Sequence, residues 1–422
     1  VTRHYLFLQG VASPFFAALA DHLHGRGERV SRVNFCGGDV LHWGRRPAWR
    51  FRGGVAQLPN YLRTLFAAQG FTDLVLFGSR RPVHQPAVEL ARQAGVRVHV
   101  FEEGYVRPNW LTLERDGVNA DSPLPRDPGW YLAVDPTLPR YANGAAAPGN
   151  IRVRAAHDLA YHLANGLNPV AFAGYRTHRP YTAPVEYAGW IRRFSTLPLW
   201  RRRDEGQIRD LLATGSGFFL LPLQLNGDTQ ITLNSRYGGM PHLIDTVLRS
   251  FADDAPRDSR LVIKNHPLDT GLVNYRALIS RLVAELDIAG RVLYLESGHL
   301  PTLIKAARGV VTVNSTVGTI ALAHGRPTIA LGIAIYDLPG LTFQGHLRDF
   351  WQHCSPPDQR LFHAFRNTVI HTTQVNGDFY TAQGIRMAVR NCDRLLSEES
   401  PLQALLRRIP VDNPLPRRAE VS

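Results

Sequence analysis

The sequence predicts an α/β chain built from two doubly wound halves. Three observations carry that prediction. Short apolar strands alternate with helical patterns from His4 to Phe101, and the same rhythm resumes from Phe218 to Leu331. A loop-rich and then helical stretch separates the two runs. The length of 422 residues, 44% of them hydrophobic and 20% charged, suits two cores of roughly 150–200 residues each.

The elements follow in order. His4–Gln9 reads as a buried strand ended by Gly10. Ser13 and Pro14 read as N-cap and first helical position, and Phe15, Phe16, Leu19 and Leu23 form the stripe of a helix closed by Gly25 and Gly27. Arg29–Phe35 is a second strand, running into Asn34–Asp39, a loop rich in glycine and side-chain hydrogen-bonders. Gln57–Gln69 is helical, Thr72–Gly78 a strand and Pro86–Ala94 a helix. In the fourth strand Val96, Val98 and Val100 alternate with Arg97 and His99 up to Glu102-Glu103-Gly104. Residues 110–150 read as loops. Helical patterns follow at Ile151–Gly166 and Pro184–Thr214, separated by the aromatic, basic stretch Tyr175, Arg176, His178, Arg179 and Tyr181. In the second half strands are expected at Phe218–Leu225, Leu261–Asn265, Val292–Leu295, Gly309–Val313 and Pro327–Leu331. Helices are expected between them, at Met240–Phe251, Tyr275–Leu286, Leu300–Ala307 and Val317–His324. Helical patterns from Asp358 to Arg408 and a Pro-rich basic tail close the chain. The division this implies is a first Rossmann-like domain over 1–150, a helical bridge over 151–215, a second Rossmann-like domain over 216–345, and terminal helices and tail over 346–422. Two such halves suggest the GT-B plan, with a cleft between the lobes.

The formal net charge is +13 and the pI about 10.1, which points to an anionic partner such as a phospholipid surface, an acidic small molecule or nucleic acid. An Arg-rich, high-GC composition would give the same balance with no partner. Nucleic acid is disfavoured, because no basic run interleaves with aromatics beyond Tyr175–Tyr181. The cysteines, Cys36, Cys354 and Cys392, lack the spacing of a zinc site or a disulfide framework. No apolar run approaches ~18 residues, and the order of residues at the start is not that of a signal peptide. The expectation is an intracellular protein, soluble or peripherally bound to a membrane by electrostatics.

Four stretches carry candidate chemistry. Glu102 and Glu103 end an apolar strand, where carboxylates are costly unless they have work or partners. Ligands of open α/β sheets bind just outside the carboxyl ends of strands. Gly104 permits a sharp turn after the pair, and Arg107 stands close enough to hold one carboxylate ionised. A solvated loop with a helix-capping acid is the plainer alternative. Lys264-Asn265-His266-Pro267 follows a strand, so His266 is expected at the sheet edge within reach of a phosphate or ribose; a structural histidine is the alternative. Asn314-Ser315-Thr316 opens a helix, a ready anion site or a plain N-cap. Gln224 to Gln230, with Asp228, offers amides and an acid to sugar hydroxyls, or simply makes a turn at Asn226-Gly227. No P-loop and no GxGxxG fingerprint is present.

An acidic pair with Gly104, then His266-Pro267, then Ser315-Thr316, resembles the motif series of bacterial sialyltransferases and related CMP-sugar enzymes. A longer pattern is similar to the capsule polysaccharide biosynthesis proteins of the KpsS/LipB type, over roughly residues 4–345. It comprises Leu8-Gln9-Gly10 with Ser13-Pro14-Phe15-Phe16, Asn34-Phe35 with Gly37-Gly38-Asp39, Phe101 to Pro108 with Trp110, and Leu221 to Gln224.

That resemblance implies a retaining β-Kdo glycosyltransferase with a GT-B fold. The donor would be CMP-β-Kdo and the acceptor lysophosphatidylglycerol, or a Kdo already on it, at the cytoplasmic face of the inner membrane, beside other capsule assembly proteins. Related β-Kdo transferases carry Glu-Asp-Gly where this chain has Glu102-Glu103-Gly104. Glu103 therefore stands at the nucleophile position with one extra methylene. Glu102 would orient it or serve the acceptor hydroxyl. Arg107 and Lys264 would bind carboxylate or phosphate, and His266, Pro267, Asn314, Ser315, Thr316, Gln224 and Asp228 would form the donor site. Asn314 stands where the family pattern often has Ser. Gln9, Gly10, Ser13, Asn34 and Asp39 are acceptor-side or loop candidates. No metal or cofactor is expected. An inverting sialyltransferase-like enzyme with Glu103 as general base, and a non-enzymatic export factor binding polysaccharide or lipid, remain as alternatives.

Overall fold

The computed structural model describes residues 2–141, 143–147, 149–177, 181–215, 217–225 and 235–411. The chain divides into two compact α/β units: the first takes 1–124, 136–178 and 366–410, the second 125–135, 179–365 and 411–422. This is the GT-B-like class read from the sequence.

The first unit begins with β1 (His4–Phe7), α1 (Phe15–Gly25), β2 (Arg29–Asn34), α2 (Gly37–Trp43), β3 (Trp49–Arg50), α3 (Leu58–Gln69), β4 (Asp73–Phe77), α4 (Gln85–Gln93) and β5 (Arg97–Glu103). β6 (Trp110–Arg115) then returns antiparallel to β5, pairing Glu103 with Leu111 and Glu102 with Thr112. The sheet order is β12-β6-β5-β4-β1-β2-β3, where β12 is Gln374–Asn376 and pairs antiparallel with β6. Alternation along the strands sends Tyr5, Phe7, Val75 and Phe101 to one face, against α1 and Ile385, Ala388 and Val389. Leu6, Leu74, Leu76, Val98 and Val100 go to the other, against α3 and α4. A sheet buried on both faces explains why these strands are nearly continuous apolar runs.

β6 and β12 depart from the loop and helix expected at those positions. The outer strand is rich in polar residues, yet Thr112, Glu114 and Arg115 are buried. Each finds a partner: Gln374 Nε2 donates to Thr112 Oγ1 (3.1 Å), Tyr105 Oη to Glu114 Oε1 (2.6 Å), and Arg115 Nη2 to the Ser397 carbonyl (2.8 Å). Such buried polar groups read as loop from sequence, because the pairing shows only in the fold and the partners of Thr112 and Arg115 lie more than two hundred residues away. Residues 366–410 accordingly belong to the first unit, and the terminal segment 346–422 is not one module. The predicted loop at Asn34–Asp39 also differs. It holds the first turn of α2, whose Gly37 and Gly38 N–H groups are capped by the side chains of Asn168 and Asn165 (2.8 Å each). Helix α1 starts at Phe15, with Pro14 rather than Ser13 at its N-cap.

Glu114 makes a pH prediction. Burial pushes its carboxyl up to about 7 from an ordinary 4.5. A raised folded value favours the neutral acid, so its contribution is complete below about pH 4.5 and is lost as pH rises through about 7, roughly 3 kcal/mol in all. Glu114→Gln keeps a neutral group of the same shape. We expect denaturation melts to show the variant near wild type at pH 5 and more stable at pH 8; parallel pH profiles would refute the assignment.

The chain continues with α5 (Pro128–Val134), α6 (Ile151–Asn165), α7 (Asn168–Ala171) and α8 (Ala183–Ala213). The 151–215 region expected to bridge the halves is shared out between the units: α6 and α7 fall in the first, α8 in the second. The second unit holds β7 (Phe218–Pro222), β8 (Arg260–Lys264), β9 (Val292–Leu295), β10 (Gly309–Thr312) and β11 (Thr328–Ala330), in the all-parallel order β11-β10-β7-β8-β9. One face packs on the helix Met240–Asp254 and Trp351, the other on Leu300–Ala306 and Leu211 of α8. Among the described residues no helix is long and apolar enough to cross a membrane.

Candidate active site

In the first unit, β5 delivers Glu103 to the carboxyl end of a parallel strand. Strand alternation puts the two acids on opposite faces of the sheet. Glu103 lies on the Phe101 side. Glu102 lies on the other, where Gly78 leaves room for its carboxylate, and its Oε1 accepts the Glu103 N–H (3.0 Å). The side chain of Glu103 is 28% exposed, and three groups converge on it. Arg154 Nη1 stands 3.2 Å from Oε1, Arg107 Nη2 3.9 Å from Oε2, and Tyr380 Oη donates to Oε1 at 3.4 Å. Arg154 also lies over the Tyr380 ring, 4.8 Å from its centre. Burial and the neighbouring Glu103 charge push the Tyr380 phenol well above its ordinary value, so it stays a proton donor.

The surrounding loop is tied down. Gln374 Oε1 accepts from the N–H groups of Tyr105 (3.1 Å) and Val106 (3.4 Å), and Asn376 Nδ2 donates to the Asn109 carbonyl (2.8 Å). Gly104 is required for a reason internal to this hairpin: any Cβ there would collide with the Trp110 carbonyl. Arg154 and Tyr380 were not legible in the sequence. Arg154 opens a helix read as part of a bridge, and Tyr380 follows a strand read as helix.

The acceptor-side candidates are interior. Gln9, Ser13, Asn34 and Asp39 are all buried, and Gly10 stands where a Cβ would collide with Phe16. Gln9 Nε2 donates to Tyr161 Oη (3.1 Å) and Tyr175 Oη (3.2 Å), while Arg81 donates to Gln9 Oε1 (3.2 Å). Asp39 Oδ2 accepts the Phe35 N–H (2.9 Å), Arg32 Nη2 lies 3.5 Å from Asp39 Oδ1, and Arg32 donates to Asn34 Oδ1 (3.0 Å). This network locks α6 onto α2. Its effect on Glu103 is indirect, since α6 carries Arg154.

In the second unit the donor candidates cluster at the carboxyl ends of the adjacent strands β10, β7 and β8. Gln224 and Asn314 form a reciprocal amide pair, Nε2 to Oδ1 at 3.1 Å and Asn314 N–H to Gln224 Oε1 at 3.4 Å. Ser315 Oγ accepts the Val317 N–H (3.2 Å), its carbonyl accepts from Tyr336 Oη (2.6 Å), and the Thr316 carbonyl accepts from Thr319 Oγ1 (2.6 Å). His266 Nδ1 accepts the Leu268 N–H at 3.1 Å, which assigns the ring proton to Nε2. His266 is partly exposed and Pro267 exposed beside it. Lys264 is 5% exposed, its ammonium donates to the Asn265 carbonyl (3.2 Å), and burial lowers its pKa. Asp228 lies outside the described residues.

Beneath His266 a buried guanidinium organises the turn. Arg193 of α8 donates to the carbonyls of His266 (3.0 Å) and Asp269 (2.6 Å), and stands 3.6 Å from the carboxylates of both Asp269 and Glu296. Asn265 Nδ2 donates to Glu296 (2.9 Å).

Known proteins resemble this chain along most of its length. Residues 72–380, from just before β4 to Tyr380, match the model of the family described as capsule polysaccharide biosynthesis protein. The chain is 37% identical over 379 residues to the capsule polysaccharide export protein KpsS of Escherichia coli, covering 90% of this chain and 97% of the relative. It is 35% identical over 390 residues to the capsule polysaccharide modification protein LipB of Neisseria meningitidis serogroup B, covering 90% and 92%. Among solved structures it is similar to the β-Kdo 2,7 transferase of Thermosulfurimonas dismutans KpsC, at 15% identity and a TM-score of 0.45 over 92% of this chain and 98% of that one. The extent of the KpsS and LipB matches, with the family match running across both units, shows that this chain belongs to the capsule polysaccharide biosynthesis protein family.

Proposed function

We propose that the protein is a β-Kdo glycosyltransferase that moves Kdo from CMP-β-Kdo to lysophosphatidylglycerol, or to a Kdo-primed form of it, with retention. The observation that carries this reading is Glu103, a partly exposed carboxylate at a strand end among Arg107, Arg154 and Tyr380.

A β-linked donor giving a β-linked product calls for two inversions. In the first, a Glu103 oxygen bonds to the anomeric carbon as the bond to the phosphate oxygen breaks, and CMP leaves with that electron pair. In the second, the acceptor hydroxyl attacks the same carbon, Glu103 departs as carboxylate, and the hydroxyl proton passes to solvent; Glu102, on the other face of the sheet, suits the orienting role, its Oε1 accepting the Glu103 N–H. The Kdo carboxylate lies next to the anomeric carbon, and Arg107 and Arg154 suit it as cationic partners. His266 Nε2–H and the hydroxyls of Ser315 and Thr316 suit the departing phosphate. Lys264 is left a structural part, being buried. Protein cations supply the neutralisation, so the proposal needs no metal. The site of action would be the cytoplasmic face of the inner membrane, with the chain bound peripherally.

The test is incubation with CMP-Kdo and synthetic lysophosphatidylglycerol, with mass spectrometry of the lipid and NMR of the new anomeric centre. A β-Kdo lipid supports the proposal. An inverted product makes Glu103 a general base, and binding without CMP release makes the chain an export factor. Within the same reading, His266→Ala should weaken CMP affinity about tenfold and slow turnover without unfolding the protein, as befits loss of one hydrogen bond to a charged group. Unchanged affinity by calorimetry with normal turnover would remove His266 from the donor site.

A further inference from the structure

Helix α6 has its orientation fixed by one side. Arg154 reaches Glu103, Tyr161 enters the buried Gln9 and Asp39 network, and Asn165 caps α2. A neighbouring face has no such partners and is largely aliphatic. Ile151, Leu159 and Leu163 are 59%, 47% and 69% exposed, and the line continues into Leu167 at 69% and Val170 at 89%. Ala155 fills the remaining position of the four-residue repeat and is also exposed. Over α6 alone the stripe runs about 18 Å. A run of this kind on a surface marks an interaction site.

The charge around the stripe indicates what covers it. Arg152 is exposed within the same face, and Arg176 is exposed beyond α7. No carboxylate is exposed between residues 151 and 177; the only acid there, Asp158, is half-buried, with His162 3.7 Å away. A second copy of the same face would set Arg152 against its own charge. An anionic bilayer accepts both the aliphatic side chains and the guanidinium groups.

We propose that the outer face of α6 and α7 docks in the surface of an anionic bilayer. The inference rests on reading the acceptor as a lipid, and it gives that reading a geometry. On α6 the position that meets Glu103, Arg154, lies within one turn of Ile151, where the stripe begins. Because α6 carries both Arg154, which meets Glu103, and the stripe, a bilayer under the stripe brings the headgroups to the helix that borders the carboxylate. Binding would also be partly apolar. Salt should weaken it without abolishing it, in contrast to the purely electrostatic attachment expected from net charge.

The test uses the full chain and vesicles of phosphatidylglycerol and phosphatidylcholine in equal parts. Leu163→Glu with Leu167→Glu should lower the vesicle partition coefficient at least about tenfold, with an unchanged melting temperature. Val170→Glu, at a residue too exposed to affect folding, should lower it about threefold and serves if the double variant unfolds. Wild-type partition in both variants, or no binding of the wild-type chain at low salt, overturns the proposal. So does a wild-type dimer that the double variant breaks while vesicle binding is unchanged, which would make the face a contact between copies. Vesicle binding that falls as stated in a chain that never releases CMP from CMP-Kdo would leave this inference standing and remove the enzymatic reading alone.

Discussion

Glu103→Gln abolishes glycosyl transfer and leaves CMP binding nearly unchanged. The expected fall in turnover is at least about a thousandfold, some 4 kcal/mol of lost transition-state stabilisation. The amide keeps the shape of the side chain and a carbonyl oxygen for Tyr380. It removes the nucleophile and the negative charge that Arg154 and Arg107 now face across 3.2 and 3.9 Å. The residues proposed for the nucleotide belong to the other unit, so calorimetry with CMP should give affinities within about twofold of wild type. Glu103→Asp restores the residue type of related β-Kdo transferases on a backbone tuned for a longer side chain. A retreat of about 1 Å can cost about a hundredfold, and we expect a loss of that order. Wild-type protein given CMP-Kdo without acceptor should carry Kdo on the peptide containing Glu103 after acid quench, seen by mass spectrometry. Normal turnover of Glu103→Gln with no adduct in the wild type would move the role to Glu102 or to an inverting route.

Arg193→Ala should unfold or loosen the second unit, by about 3–5 kcal/mol. Its guanidinium is 7% exposed and satisfies the carbonyls of His266 and Asp269 while lying 3.6 Å from two carboxylates. Removing it strands buried acceptors and leaves Asp269 and Glu296 without their shared cation. Arg193→Lys keeps the charge but lacks the planar fork, so it should recover only part of the loss. Chemical denaturation of the three proteins measures this directly. Because Arg193 holds the His266 carbonyl, the lysine variant should also bind CMP more weakly than its stability alone explains. Equal denaturation midpoints for all three would show that the turn after β8 stands without it.

The strands of both sheets were legible because sheets covered on both faces demand apolar runs, and runs such as Phe218–Leu223 admit few other readings. The helices at Phe15–Gly25 and Met240–Asp254 were legible from their stripes. β6 and β12 were not, since their polar residues are buried against partners that only the fold supplies, most of them more than two hundred positions away. Helix α2 was hidden because its Gly-Gly start reads as a turn until Asn165 and Asn168 are seen capping it. The acidic pair, His266 and Ser315-Thr316 could be picked out by type and position at strand ends. Their division of labour could not.

The sequence by itself determined the α/β class, the two-unit plan, the acid at the end of β5 and the likeness to capsule proteins, all of which follow from local pattern. Tertiary structure decided which acid keeps the cationic company. Strand alternation turns Glu103 to one face and Glu102 to the other, and chain segments from α6 and from beyond β12 bring Arg154 and Tyr380 to Glu103. It also placed Gln9, Asn34 and Asp39, the acceptor-side or loop candidates, in a buried network that holds α6, and Lys264 in the interior. Hydrogen-bonded networks of this kind depend on distance in space, and local sequence pattern carries no measure of it.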